Sequence, residues 1–77
     1  MDIEQLELKI FRSLDELKNY IKQNFNVLEM AEIDNDYDDC EIDDELAFFD
    51  DEWDYSVYYM KGKSGRIIVV ETSKMSY

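Results

Sequence analysis

The first hydrophobic pattern along the chain has a period of two. Within residues 4–11, Leu6, Leu8 and Ile10 alternate with charged residues. Because successive side chains of an extended chain point to opposite sides, this alternation predicts a half-buried strand. A less regular run of apolar residues, VLEMAEI at 27–33, predicts a second strand.

Between these two runs the hydrophobic spacing becomes helical. Ser13 is followed three residues later by Glu16, which is the pattern of a capping box at a helix N-terminus. The apolar positions that follow lie on one helical face, with Tyr20 alongside: Leu14, Leu17, Ile21 and Phe25. Such a stripe is typical of a helix that packs its apolar side on a core.

The C-terminal part of the chain predicts a β-hairpin. In the segment 53–60, a period of two places Trp53, Tyr55, Val57 and Tyr59 on one strand face. KGKSG at 61–65 contains both glycines of the chain and predicts the turn, and RIIVVETS at 66–73 predicts the second strand. The unbroken run IIVV indicates a central strand that is covered on both faces.

The central part of the chain is harder to assign to an element. Residues 34–45 have few apolar positions and predict an acidic loop. LAFF at 46–49 is a short apolar segment that fits either a strand or a helical turn. Taken together, the patterns predict one α+β domain over residues 1–77, with a small antiparallel sheet, one helix packed on it, the acidic loop and the C-terminal hairpin.

Charge is strongly segregated along the sequence. The chain carries a formal net charge of −12, yet residues 23–60 hold fourteen acids and no Lys or Arg. That window carries −14, and the rest of the chain, with six acids and eight bases, carries +2. The protein is therefore predicted to be a near-neutral scaffold with an acidic segment at 29–54. Because such self-repulsion destabilises a folded chain, the segment is expected to serve a purpose.

Composition also narrows the chemistry that is expected. The chain has no His and a single Cys, Cys40, so nucleophilic systems that need His and zinc sites that need several Cys and His ligands are not expected. No catalytic residue, metal site or cofactor is predicted, and the protein is expected not to be an enzyme. Without a disulfide framework, a signal peptide or a long apolar run, a cytoplasmic location and no membrane partner are expected.

The acidic segment supplies the candidate binding residues. On an extended chain, residues two apart project to the same side about 6.6 Å apart, so runs such as Asp34, Asp36 and Asp38 would present a row of negative charge. Interleaved aromatic residues could stack on Arg side chains and anchor a complex. The partner-binding residues predicted on this basis are Asp34, Asp36, Tyr37, Asp38, Asp39, Glu41, Asp43, Asp44, Glu45, Asp50, Asp51, Glu52, Trp53, Asp54 and Tyr55. Tyr37, Trp53 and Tyr55 are the candidate anchors, although Trp53 and Tyr55 share a strand face that could instead belong to the core.

The short length, the runs DNDYDDCEIDDE and DDEWDY, and the predicted α+β scaffold resemble a class of small acidic inhibitors from phages and other mobile elements. The class includes anti-CRISPR proteins and anti-restriction DNA mimics. The resemblance implies a non-enzymatic phage protein for evasion of host defence, acting in the host cytoplasm. It would occlude the nucleic-acid-binding groove of a CRISPR effector, a restriction enzyme or a nuclease through a protein–protein interaction, without binding nucleic acid itself.

Other interpretations of the acidic segment remain open. An immunity protein or antitoxin that neutralises a basic nuclease toxin would have the same charge and the same physics of association. Residues 34–45 also resemble an EF-hand calcium loop at Asp34, Asp36, Asp38 and Glu45, but Asp39 occupies the position of the invariant Gly. A solvated acidic face that only confers solubility is a further alternative. The sequence is compatible with a monomer or with a homodimer formed by pairing of edge strands.

Overall fold

In the computed structural model, which describes residues 2–33 and 44–76, a short 3₁₀ helix and one α-helix pack on a five-stranded antiparallel sheet. The 3₁₀ helix spans Ile3–Leu6 and the α-helix, α1, spans Leu14–Asn24. The strands are β1 (Ile10–Phe11), β2 (Glu29–Ile33), β3 (Asp44–Phe49), β4 (Trp53–Lys61) and β5 (Ile67–Ser76). Their order across the sheet is β1-β5-β4-β3-β2. The predicted α+β class, with one helix on a small antiparallel sheet, is confirmed.

Helix α1 begins where the capping box predicts it. The Ser13 side chain accepts a hydrogen bond from the backbone N–H of Glu16 at 3.2 Å, which satisfies one of the free donors of the first turn. Leu17 and Ile21 are fully buried against the sheet, and Leu14 and Phe25 are partly buried beside them. The apolar stripe of the helix is therefore core, as its spacing predicts.

The predicted C-terminal hairpin is formed by β4 and β5. Its turn is closed by a hydrogen bond from the Gly62 N–H to the Arg66 carbonyl at 2.8 Å and by one from the Gly65 N–H to the Gly62 carbonyl at 3.1 Å. Gly65 has a φ of 84°, a left-handed conformation that a residue without a Cβ adopts at little cost. A bulge between Tyr58 and Tyr59 adds one residue to β5.

One face of the sheet carries the core, and we call it the inner face. The strand residues that point to it and are buried are Phe11, Leu46, Phe48, Tyr55, Val57, Tyr59, Ile67 and Val69. Helix α1 and the 3₁₀ helix cover these side chains with Leu17, Ile21, Ile3 and Leu6. The alternate positions of the strands point away from the helices, and we call that side the outer face.

The predicted strand over 4–11 is wrong for most of its length. Ile3–Leu6 forms the 3₁₀ helix, and only Ile10–Phe11 of the segment lies in a strand, although the backbones of Leu8 and Lys9 also form hydrogen bonds with Val69 of β5. The chain turns at Leu8, whose φ of 67° lies in the left-handed region and whose side chain is 81% exposed. Because the 3₁₀ repeat is three residues, Ile3 and Leu6 fall on one side of the turn and are both buried.

The structure corrects the length of the predicted loop and the predicted coverage of the last strand, and it decides the conformation of LAFF. LAFF lies in a strand, β3, and this strand already begins at Asp44, so the predicted loop over 34–45 is too long at its C-terminal end. The remainder of that loop, residues 34–43, lies outside the described residues. Strand β5 is indeed internal to the sheet, but it is covered on one face only, because Ile68 remains 36% exposed while its neighbours Ile67 and Val69 are buried.

Candidate functional site

The strand register arranges the outer face in rows that run across the strands. The middle row consists of four small side chains that are paired in register, Ala31, Ala47, Ser56 and Ser73. One neighbouring row contains Glu29, Phe49, Asp54 and Met75, and the other contains Ile33, Glu45, Tyr58 and Glu71. Larger side chains thus flank a line of small ones on both sides.

This arrangement produces a depression in the outer face. A cavity of about 290 Å³ lies over β2, β3 and β4, between the small side chains of Ala31, Ala47 and Ser56 and the neighbouring row of Glu29, Phe49 and Asp54. The Ser56 hydroxyl donates a hydrogen bond to a carboxylate oxygen of Glu45 at 3.2 Å, which holds that carboxylate beside the middle row. Residues that are distant in sequence therefore share one shallow groove.

Within the described residues, the ionisable side chains at outer-face strand positions are four carboxylates and Tyr58 of β4. The four carboxylates are Glu29 and Asp54 on one side of the middle row and Glu45 and Glu71 on the other. No outer-face position in β1–β5 is occupied by Lys or Arg. The acidic character seen along the sequence is thus also a property of one face of the folded protein.

The basic side chains with described contacts interact on the helix side of the sheet and not on its outer face. Lys18 of α1 forms an ion pair with Glu32 at 2.9 Å, and the Lys74 ammonium group lies 4.1 Å from the centre of the Trp53 ring. Lys9 lies over the ring of Tyr20 at 5.7 Å. These contacts are on the helix side of the sheet. As a result, the bases do not neutralise the outer-face carboxylates by direct contact.

The turn between β3 and β4 carries a second group of carboxylates, organised by Asp50. One carboxylate oxygen of Asp50 accepts hydrogen bonds from the backbone N–H groups of Glu52, at 2.8 Å, and Trp53, at 2.7 Å. The other accepts a hydrogen bond from the Tyr55 hydroxyl at 3.2 Å. Asp50 is thereby committed to shaping the turn, while Asp51 and Glu52 are exposed at its tip.

These bonds shift the ionisation of both side chains. The N–H of Glu52, more than any other group, holds the pKa of Asp50 below its usual value, and the N–H of Trp53 and the Tyr55 hydroxyl act in the same direction against partial desolvation. Burial raises the pKa of Tyr55, and the negative charge of Asp50 raises it further. The turn is therefore built around an ionised Asp50 and a neutral Tyr55.

The lowered pKa of Asp50 predicts a pH-dependent contribution to stability. Since the folded-state pKa lies below the unfolded value of 3.8, the contribution is fully present above that value and is lost as the pH falls through the folded-state pKa. We expect an Asp50→Asn variant, which keeps an acceptor oxygen but cannot ionise, to be less stable than the parent at neutral pH. The difference should shrink below about pH 4. Urea unfolding of both proteins between neutral and acidic pH measures it, and a difference that stays constant would contradict the assigned role.

The two candidate aromatic anchors on β4 occupy different environments. Tyr55 is 7% exposed and packs in a cluster with Phe48, at 4.8 Å between ring centres, and with Phe25, at 5.3 Å. It belongs to the core, which is one of the two possibilities raised by its strand face. Trp53 is half-buried on the same inner face, beside Lys74. Of the two side chains, only Trp53 retains surface for a contact with another molecule.

The remaining predicted site residues fall into three groups. Asp34, Asp36, Tyr37, Asp38, Asp39, Glu41 and Asp43 lie outside the described residues. Glu45 and Asp54 lie on the outer face, and Asp51 and Glu52 lie at the β3–β4 turn. Asp44 pairs with Tyr59 on the inner side of β3 and approaches Lys61 at 3.9 Å. The structure thus places Glu45, Asp54, Asp51 and Glu52 at two adjoining surfaces and Asp44 on the other side of the sheet.

The calcium interpretation falls mostly outside the described residues. Asp34, Asp36 and Asp38 are not described, and Glu45, the fourth matching position, is a strand residue that accepts a hydrogen bond from Ser56. Within 2–33 and 44–76, no group of three or more Cys, Asp or Glu side chains is placed to hold a metal ion.

Sequence reasoning missed the residues that form the groove. Ala31, Ala47, Ser56 and Ser73 carry no charge and match no motif. Their outward direction could have been inferred from strand alternation, but their alignment depends on the pairing of four strands. Phe49 and Tyr58 are among the interleaved aromatic residues of the sequence, but their positions on either side of the small row depend on the same strand pairing.

No protein-family model, curated protein or solved structure matches the chain. Neither helix of the described part of the chain could cross a membrane, since α1 has 11 residues and a bilayer-spanning helix needs about 20. The function must therefore be inferred from the chemistry of the surfaces.

Proposed function

We propose that the protein is a non-enzymatic inhibitor that binds the basic, nucleic-acid-binding surface of another protein and prevents nucleic acid from reaching it. The observation that carries the proposal is that the outer face of the sheet holds carboxylates and no base at its strand positions. Carboxylates occupy the outer face and the β3–β4 turn, while Lys9, Lys18 and Lys74 make their contacts on the helix side. A folded surface of one sign is what a groove that neutralises phosphates would attract.

The arrangement of the carboxylates suits this task. Glu29 and Asp54 are separated by one intervening strand, so their backbones are about 10 Å apart at the usual strand spacing. The same holds for Glu45 and Glu71, which are separated by β4. Since ladder hydrogen bonds hold these positions, little conformational entropy of the backbone is lost when they meet a partner.

Binding would combine two physical effects. Long-range attraction between unlike charges accelerates the encounter, and it weakens once the Debye length falls below about 8 Å. Contacts of Phe49 and Tyr58 on the outer face with apolar or guanidinium groups would slow dissociation. Exposed ion pairs alone contribute up to about 1 kcal/mol each, so the affinity must come from several of them together with the aromatic side chains.

The experiment that tests the proposal begins with capture of the partner from the cells in which the protein occurs. The immobilised protein is washed at low and at high salt, and retained proteins are identified by mass spectrometry. We expect a nucleic-acid-binding protein that is lost at high salt and that releases the inhibitor when its own nucleic acid is added. Recovery only of proteins without a basic groove, or a complex indifferent to nucleic acid, would refute the proposal.

The identity of the captured protein also separates two forms of inhibitor. A CRISPR effector or a restriction enzyme would make the protein an inhibitor of host defence. A nuclease toxin encoded beside it would make it an immunity protein that acts by the same electrostatic mechanism.

The association rate constant for the captured partner gives an independent prediction. We expect it to fall by about one to two orders of magnitude between low and high salt, because steering by unlike charges is screened. The dissociation rate constant should change much less. Stopped-flow mixing at several salt concentrations measures both. A salt-independent association rate constant would show that the carboxylates do not steer the encounter.

A further inference from the structure

The outer face of the sheet has the features of a docking surface beyond its charge. Ile10, Ile68 and Met60 are cross-strand neighbours on β1, β5 and β4, and they are 63%, 36% and 53% exposed. Exposed apolar side chains that adjoin one another, unlike single scattered ones, mark interaction sites. Next to this apolar row lie Tyr58 and then the groove over Ala47 and Ser56.

The dimensions of the groove favour one kind of occupant. The two flanking rows are each two residues away from the small row, so their backbones lie about 13 Å apart. An α-helix with its side chains is about 10–12 Å wide. The small side chains of Ala31, Ala47, Ser56 and Ser73 allow close approach along the centre, while Phe49 and Tyr58 can contact the sides of the helix.

Charge complementarity specifies the polar part of that helix. Glu29 and Asp54 lie on one side of the small row, and Glu45 and Glu71 lie on the other, with no base at any outer-face strand position. A helix that presents an apolar stripe to the groove would place Lys or Arg on both flanks of the stripe opposite these carboxylates. A second copy of this face, or a nucleic acid, would instead bring like charges together.

We propose that the outer face binds one basic amphipathic α-helix of the partner protein, with the apolar stripe of the helix over the row from Ala31 to Ser73. This inference rests on the proposed function, because it assigns the partner's contact to a particular element. It also moves the centre of the contact from the acidic loop and turn to the sheet. An extended partner segment would add to the edge strand β2, and the inference excludes that mode.

The test uses two synthetic peptides of about 18 residues, which as helices would be about 27 Å long. Both contain the same Ala, Leu, Lys and Arg residues and therefore the same charge. In the first, the order produces an apolar stripe flanked by bases, and in the second the residues are shuffled to remove it. Each is titrated into the isotope-labelled full-length protein and followed by amide chemical shifts.

We expect the amphipathic peptide to bind at least about tenfold more tightly than the shuffled one, because only it buries an apolar stripe while its bases meet both flanks. The largest shifts should lie at Ala31, Ala47, Ser56 and Ser73. Equal affinity of the two peptides, no binding of either, or shifts confined to the β3–β4 turn would overturn the inference.

Variants of the protein make the test specific to the groove. Ala47→Phe fills the centre of the small row and should weaken binding of the amphipathic peptide at least about tenfold. Ala31→Phe, at an exposed position of the same row, provides a second variant should the first fail to fold. The matched control, Asp15→Asn with Glu16→Gln, removes two exposed charges from the first turn of α1, on the helix side of the sheet, and should change this affinity about twofold at most. If both Phe variants bind as the parent does, helix docking in the groove is wrong.

The outcome is separable from that of the proposed function. Suppose that nucleic acid still displaces the protein from its captured natural partner, and that this partner binds the Ala47→Phe variant as tightly as the parent. The inhibitor proposal would then stand while the helix-binding groove would be rejected. If the natural partner has no nucleic-acid-binding surface, the inhibitor proposal fails regardless of how the peptides bind.

Discussion

Replacement of Phe48 by Ala is expected to lower the free energy of unfolding by about 3–5 kcal/mol. Phe48 is 2% exposed, and its ring lies 5.4 Å from that of Phe25 and 4.8 Å from that of Tyr55, measured between ring centres. Truncation leaves a cavity at the centre of this cluster, where α1 ends and β3 and β4 meet. A domain of 77 residues has a total stability of about 4–12 kcal/mol, so this one change could remove most of it.

The neighbouring residue offers a matched control for the same truncation. Phe49 has the same side chain and lies on the same strand, but it points to the outer face and is only partly buried. Phe49→Ala should therefore cost about 1 kcal/mol, in line with a partly exposed position. Chemical denaturation of both variants measures the difference. Similar losses of stability for the two would show that the two faces of β3 have been assigned incorrectly.

Neutralising the exposed carboxylates of the β3–β4 turn and the adjoining outer face together is expected to weaken binding to the natural partner strongly. The variant Asp51→Asn, Glu52→Gln, Asp54→Asn removes three exposed charges at the turn and the adjoining outer face. With up to about 1 kcal/mol for each exposed pair, the affinity at low salt should fall by about 10- to 100-fold. Calorimetric titration against the captured partner measures the loss. Each single replacement should have a small effect, because no one pair dominates.

Asp50 is left unchanged in that variant because its carboxylate accepts hydrogen bonds from the turn, and its loss would confound binding with folding. A matched control removes three charges from the helix side of the sheet by Glu4→Gln, Asp15→Asn and Glu16→Gln, all at exposed positions of the 3₁₀ helix and the first turn of α1. The control and the test variant have the same net charge. If both lose affinity equally, the partner responds to total charge, and the proposed contact surface is wrong.

The helix predicted from the spacing of hydrophobic residues is correct, whereas the N-terminal strand predicted from their alternation is interrupted by the backbone conformation of one residue. The capping box at Ser13 and the apolar stripe of Leu17 and Ile21 describe α1 as the structure has it. The alternation of Leu6, Leu8 and Ile10 suggested a strand, but the left-handed conformation at Leu8 breaks it. A pattern of hydrophobic residues reports which side chains can be buried together, and it does not report where the chain reverses direction.

The candidate site could be predicted from the sequence in its charge but not in its shape. The acidic window identified Glu45, Asp51, Glu52 and Asp54, which lie on the outer face or at the turn beside it. Tyr55 belongs to the core because strand alternation at that position favours the inner face. An aromatic residue within an acidic run can belong either to the core or to a binding surface, so the sequence left both possibilities open for Tyr55.

The sequence by itself determined the class of the fold, the helix, the hairpin and the separation of acidic from basic residues, because each of these is encoded by neighbouring positions along the chain. Only the tertiary structure decided that Ala31, Ala47, Ser56 and Ser73 form one row and that Glu29 and Glu71 join the acidic residues of β3 and β4 on one face. Strand register is set by the packing of the whole inner face. A shift of one residue would turn every outward side chain into the core, and no single strand carries that information.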